Sequence, residues 1–154
     1  AMLAYIWFRF ELPFALGAIV ALMHDITLTM GLFAILGLEF NLATVAAILL
    51  IIGYSMNDTV VVYDRIRENL RKFKKMNLND LLDKSINETL SRTINTTVTT
   101  ILALGALYLF GGQIIADFAF AMLWGIVVGT YSSIFIASTI LVYVNVRRTK
   151  EPES

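Results

Sequence analysis

Long apolar runs alternate with short polar breaks along the chain, and the runs have the length of membrane-crossing helices. About 20 mostly apolar residues cover a hydrocarbon core of roughly 30 Å. Four stretches qualify: residues 12–38, interrupted by His24 and Asp25; residues 41–63, polar around Asn57 and Asp58; residues 93–110, a shorter run that opens in threonines; and residues 114–146, the longest. The pattern predicts an all-α, polytopic membrane helix bundle over residues 1–150, with 151–154 as a short tail. The opening AMLAYIWF is apolar but too short to span, and with Ala in first place residues 1–8 read as the end of a truncated helix. No basic start with a small-residue cleavage site marks a signal peptide, which fits a piece of a longer chain.

Residues 64–92 form the one sizeable polar stretch. Ile66, Leu70, Phe73, Leu78, Leu81, Leu82, Ile86 and Leu90 recur in it at roughly helical spacing between charges. This predicts one or two amphipathic cytoplasmic helices at the inner membrane face, with a basic surface suited to anionic membrane lipid or a docked partner.

Composition narrows the function. Of 154 residues, 58% are hydrophobic and 16% charged, and the mean hydropathy of +0.74 exceeds that of an ordinary soluble enzyme. Twelve basic and twelve acidic residues cancel, so the total charge does not point to nucleic acid. The absence of cysteine excludes a disulfide framework, a thiolate metal site and a thiol nucleophile, and a single histidine excludes a multi-histidine metal centre. No catalytic Ser/His/Asp arrangement, paired catalytic aspartates or cofactor loop is visible, so no enzyme, cofactor or metal site is expected.

The placement of charge orients the bundle. Arg65, Arg67, Arg71, Lys72, Lys74, Lys75 and Lys84 crowd the connection after residue 63, Arg147, Arg148 and Lys150 follow the last span, and Arg9 precedes the first full one. The connections around Gly37 to Phe40 and Gly111 to Asp117 hold no Lys or Arg. By the positive-inside rule the basic side and the C-terminus are cytoplasmic.

Small residues mark the packing faces. Ala121, Gly125, Gly129, Ser133 and Ala137 recur every four residues in the last span, as do Gly17, Ala21, Asp25 and Thr29 in the first full one. Such stripes allow close backbone approach in lipid. Helix packing is the expected role of Gly125, Gly129 and Ser133, whereas the earlier stripe carries an ionisable residue.

Charges inside the apolar runs carry the functional signal, because a carboxylate at a helix centre costs roughly 2.5–3.5 kcal/mol on insertion scales and therefore faces protein, water or a proton path. Asp25 falls mid-span, and Asp58 lies five residues from the inner end of its run, about 7 Å at ~1.5 Å per residue. Tyr54, Ser55, Asn57 and Thr59 make that helix polar. Arg92 stands at the inner mouth of the third full span, and Asn95, Thr96 and Thr99 share its face. These residues form either a proton relay of Asp58, Arg92 and Asp25 or a set of structural pairs. His24 points about 100° from Asp25 on a helix, which favours a polar packing role over proton transfer.

Specific words in the sequence go further. GYSMNDTVVVYDRIREN at Gly53 to Asn69 closely resembles the signature of the SecF family, the bacterial export subunits that work with SecD beside the Sec channel. WFRFE at Trp7 to Glu11, ALMHD at Ala21 to Asp25, EFNLATVAA at Glu39 to Ala47 and SINETLSRTINTTVTT at Ser85 to Thr100 resemble the family in order and spacing. The resemblance implies an RND-type transporter half, here without the family's first helix and extracytoplasmic domain. It implies use of the proton-motive force to assist protein translocation through the Sec channel (SecYEG), with SecD, the translocating polypeptide and YajC as partners. It also assigns functional importance to Asp58 in the NDT motif and Arg92 in the SRT motif, with Asp25 in the HD motif. The rival readings are a passive scaffold that stabilises SecD or the channel through its small-residue stripes, and an RND-type small-molecule exporter.

Overall fold

The computed structural model describes residues 4, 5, 8 and 12–144. Apart from positions 4, 5 and 8, the expected helix end at residues 1–8, the Arg9 connection and the basic tail from Arg147 lie outside them. Four helices long and apolar enough to cross a membrane make up the rest. They are α1 (Leu12–Leu36), α2 (Leu42–Lys72), α3 (Leu78–Phe110) and a last span divided into α4 (Gln113–Tyr131), a π-helical turn (Ser132–Ile136) and α5 (Ala137–Val144).

Local chemistry sets the helix ends. Gly37 adopts φ 64°, and the Leu38 amide donates to the Phe33 carbonyl at 3.1 Å, closing α1 in the manner of a Schellman turn, which favours glycine. Asn41 then starts α2 with a capping box: its side chain accepts from the Thr44 amide at 3.1 Å, and the Thr44 hydroxyl accepts from the Asn41 amide at 3.4 Å. Asn77 caps α3 through the Asn79 amide. Gly112, at φ 80°, makes the turn into α4.

The polar stretch 64–92 departs from the expectation of separate amphipathic helices. It is the continuation of α2 and α3 beyond their apolar parts, folded into a hairpin whose turn lies at residues 73–77. Between Tyr63 and Lys72 the sequence offers no Gly, Pro or capping stop, and Ile66 and Leu70 prolong the buried stripe of Val62 and Tyr63, so the helix runs on. Leu81 and Leu82 of α3 close over that stripe.

Helix α2 is central and packs against α1, α3, α4 and the π turn. The core forms in two parts. Towards the hairpin, Phe14, Ala18, Ala21, Val62, Tyr63, Ile66, Leu81, Ala137 and Leu141 cluster. Towards the opposite end, Phe33, Ala47, Ile51, Leu104, Ala121, Met122 and Ile126 form a second cluster. Between them in the helix sequences lies a layer of buried polar groups: Asp25, Thr29, Ser55, Asp58, Thr59, Ser132 and Ser133.

Both small-residue stripes face inward. Ala121, Gly125, Gly129, Ser133 and Ala137 are all buried. A side chain at Gly125 would collide with Ile51, and a Cβ at Gly129 would lie 3.2 Å from the Ser55 Cβ. Gly17 sits directly under the Tyr63 hydroxyl, which donates to the Ala137 carbonyl at 3.1 Å. Val127, off the stripe, is 54% exposed.

Candidate functional site

The polar layer divides around α2 into two groups on different flanks. Facing α1 and the π turn, the fully buried Asp25 accepts a hydrogen bond from the Ser55 hydroxyl at 2.5 Å. The His24 Nδ1 lies 3.2 Å from the other Asp25 oxygen, and the imidazole leans on the Tyr131 ring at 6.4 Å between centroids. The expectation that His24 points away from Asp25 is thus corrected: the ring turns back toward its neighbour's carboxylate. A second pair of hydroxyls lies beside it. Ser133 donates to the backbone carbonyls of Gly129 (2.8 Å) and Ser55 (3.2 Å), and its oxygen lies 3.1 Å from the Thr59 hydroxyl. Ser133, expected only as a packing residue, therefore also fastens the π turn to α2.

The other flank faces α3 and α4. Tyr54 contacts the Thr97 hydroxyl at 3.3 Å, which in turn contacts that of Thr130 at 3.0 Å. Asp58 is 5% exposed, and its Oδ2 is buried without a hydrogen-bond partner. Arg92 acts on Asp58 electrostatically. It forms no ion pair with it within 4 Å among the described residues. Its side chain lies in an open cleft of about 460 Å³ with Val61, Asp64, Arg65, Glu68, Glu88 and Thr89.

The structure thus separates Asp25 from the Asp58 and Arg92 side by the body of one helix. Ser55 and Thr59 belong to the Asp25 flank and Tyr54 to the Asp58 flank. Asn57, Asn95 and Thr99 are exposed and Thr96 half-buried. The hydroxyls of Thr96 and Thr99 bond back to the carbonyls of Arg92 (2.9 Å) and Asn95 (2.8 Å), which satisfies them within their own helix. Sequence reasoning missed Thr97 and Thr130. Several threonines follow Arg92 in succession, and periodicity alone does not say which of them faces α2.

The hairpin below Arg92 is held by a charged network. Glu88 accepts from Arg65 Nε at 2.6 Å and from Asn69 at 3.0 Å, and Lys84 lies 3.0 Å away. Asn69 also donates to Ser85 at 2.9 Å. Hydrogen bonds from Asn69, then Lys84, then Arg65 hold the Glu88 carboxyl down to about 2. Glu68, bonded first to Lys72 and then to Arg65, is held below the usual carboxylate range as well.

A bundle of membrane-crossing helices with carboxylates buried between the spans and an arginine in an open cleft nearby defines a polytopic membrane protein of the transporter type. The comparisons give the family. The family described as protein export membrane protein SecD/SecF, C-terminal, matches residues 1–147, and the chain belongs to it. A protein translocase subunit SecF of Rhodobacter capsulatus is 57% identical over 147 residues, 96% of this chain and 44% of that protein. A SecF subunit of Rickettsia rickettsii is 55% identical over 152 residues, 98% of this chain and 49% of that protein. A crystal structure of SecDF in a super-membrane-facing form superimposes with a TM-score of 0.90 at 46% identity, covering 96% of this chain and 20% of that one. A SecDF structure from Thermus thermophilus, described as a translocon-associated membrane protein, gives 0.89 at 46% identity, covering 93% and 20%. The chain spans somewhat less than half the length of these SecF relatives. The fold is that of an all-α, RND-type membrane half.

Proposed function

We propose that this chain is the membrane-embedded part of a SecF-type translocase subunit. In this reading it uses the proton-motive force to assist protein translocation, paired with SecD beside the Sec channel (SecYEG), with YajC as a further partner. It resides in the bacterial cytoplasmic membrane with its hairpin and C-terminus inside, and acts on the translocating polypeptide without catalysing a covalent reaction. The observation that carries the reading is Asp58: a carboxylate inside a span, nearly inaccessible, with one oxygen unpartnered and a guanidinium in electrostatic reach but out of contact. A structural ion pair would have closed that contact, since a buried charge left incompletely paired is costly. An open arrangement suits a group whose partner approaches and withdraws, so that Asp58 takes up a proton when Arg92 is distant and releases it on Arg92's return.

The scaffold alternative rested on the small-residue stripes, but these are filled inside the chain by Ile51, Ser55 and Tyr63 and do not offer a surface to SecD. The test uses full-length protein with SecD present. Asp58→Asn and Arg92→Met should each abolish proton-dependent stimulation of export while membrane insertion and complex assembly persist. Full export by Asp58→Asn would reject the relay, and loss of SecD binding would return the scaffold reading.

A further inference from the structure

At the cytoplasmic side, α3 and the end of the last span leave between them a groove of about 620 Å³, whose lining includes neither Asp25 nor Asp58. Its long walls are apolar, with Leu82, Ile86 and Leu90 on one side and Phe135 and Val142 on the other. A polar row runs beside the α3 wall: Asn79, Asp83 and Asn87 stand at intervals of four, on a single helix face. The hairpin's ion pairs engage Glu68 and Glu88, and Asp83 belongs to none of the ion pairs among the described residues.

Ser138 supplies an independent observation. It lines the groove, is 5% exposed, and its hydroxyl has no hydrogen-bond partner. Other hydroxyls in these helices bond back to the carbonyl four residues earlier, as Thr29, Ser85 and the adjacent Thr139 do. A buried hydroxyl without a partner calls for an acceptor or donor that enters from outside.

Depth relates the polar row to Ser138. Helices α3 and α5 run antiparallel, and Asp83 and Val142 both line the groove, Val142 close to where the apolar run of the last span ends before Arg147 and Arg148. Ser138 lies four residues further into the membrane, about 6 Å along the axis. A carboxylate at the interface, amides beside it, a hydroxyl several ångströms deeper and hydrocarbon walls follow the layers of one diacyl phospholipid. We propose that this groove holds a phospholipid with a primary-amine headgroup, of the phosphatidylethanolamine class. Its ammonium donates to Asp83, Asn87 one turn deeper donates to its phosphate, Ser138 donates to a glycerol ester carbonyl, and an acyl chain lies along Leu90 and Phe135. An anionic headgroup would meet the Asp83 charge, and a trimethylated amine would offer it no N–H.

The experiment is native mass spectrometry of the full-length protein in mild detergent, with phosphatidylethanolamine, phosphatidylcholine and phosphatidylglycerol of identical acyl chains offered at equal concentration. The ethanolamine lipid should be retained about tenfold over the choline lipid, the factor that ~1.4 kcal/mol of charge-assisted hydrogen bonding supplies. Asp83→Asn, an exposed substitution that leaves folding intact, should erase that preference, and Ser138→Leu should fill the groove and reduce retention of all three lipids. If Ser138→Leu unfolds the protein, Val142→Trp blocks the groove from its rim and carries the same expectation. Equal retention of the three lipids, preference for phosphatidylglycerol, or an unchanged preference in Asp83→Asn would overturn the proposal. So would a photoreactive side chain at Val142 that captures a protein helix and no lipid.

Discussion

Gly125→Ala tests whether the α2–α4 contact is as close as the geometry requires. The added methyl would collide with the Ile51 side chain at both of its branches, and Ile51 is itself 2% exposed within the cluster of Ala47, Met122 and Ile126. Forcing a methyl group into such a core costs about 1–3 kcal/mol, while alanine in place of glycine in a helix returns roughly 0.5–1 kcal/mol. The net loss is then about 0.5–2 kcal/mol. At about 2–4 °C per kcal/mol for a domain of this size, thermal unfolding in detergent should fall by a few degrees. Gly105→Ala is the control, because nothing lies within 4 Å of its added Cβ and only the helical gain remains, so its midpoint should rise. Gly129→Ala, with Ser55 Cβ at 3.2 Å, should fall between them. Ile51→Val in the Gly125→Ala background should recover part of the loss, which a double-mutant cycle reads as coupling. Equal midpoints for Gly125→Ala and Gly105→Ala would refute the close contact.

Gly17→Ala should destabilise by collision with the Tyr63 hydroxyl, and Tyr63→Phe should cost about 1 kcal/mol by itself through the lost bond to Ala137 yet relieve Gly17→Ala when combined; additive thermal shifts would contradict this. Glu88 is held from an ordinary 4.5 down to about 2 in the folded protein, so its contribution is present above pH 4.5 and fades as pH falls toward 2; acid unfolding should show wild type losing more stability over this window than Glu88→Gln, and parallel curves would dismiss the network. For orientation, Leu38→Cys and Gly112→Cys should react with an impermeant thiol reagent from outside sealed cells and Lys74→Cys should not, whereas labelling of Lys74→Cys would reverse the topology.

The spans and their packing faces were legible because lipid simplifies the code. An apolar run long enough to cross announces itself, and a glycine every fourth residue has few uses there besides close approach, so Gly125 and Gly129 could be placed against a neighbour before their contacts were known. The polar hairpin was misjudged for a related reason. Outside the hydrocarbon a change from apolar to mixed composition marks the membrane surface and not the end of a helix, and only the missing Gly, Pro or cap before Phe73 told that α2 continues. The three ionisable residues were also legible, but not their grouping. Asp25 and Asp58 look alike in a linear reading, and their separation depends on the 100° per residue that places Ser55 and Thr59 on one flank of α2 and Asp58 on another. The π turn had no signal in the sequence, because Ser132 to Ile136 holds no Gly or Pro and Ser133 keeps the four-residue stripe in register.

That separation shapes how the proposed coupling would work. Helix α2 runs unbroken for 31 residues, fixed at one end by the Asn41 capping box and at the other by the ion pairs of Arg65 and Lys72. Both carboxylate groups therefore report on the position of one rigid rod. On the Asp25 flank the carboxylate is bonded and enclosed: it accepts from the Ser55 hydroxyl at 2.5 Å, and Ser133 bridges the π turn to the backbone of α2. On the Asp58 flank the carboxylate has an unused oxygen and the arginine lies in an open cleft. A carboxylate oxygen without a partner and a guanidinium in an open cleft give up no hydrogen bond when they move, so the side chains of the Asp58 flank are the ones that would rearrange while the bonded Asp25 flank keeps α1, α2 and the last span together. Under this reading Ser55→Ala, which removes the lock without touching Asp58, should loosen the α1–α2 contact and lower thermal stability while leaving the response of export to Arg92→Met unchanged. A relay that ran through both carboxylates in series would instead lose its proton dependence in Ser55→Ala as completely as in Asp58→Asn.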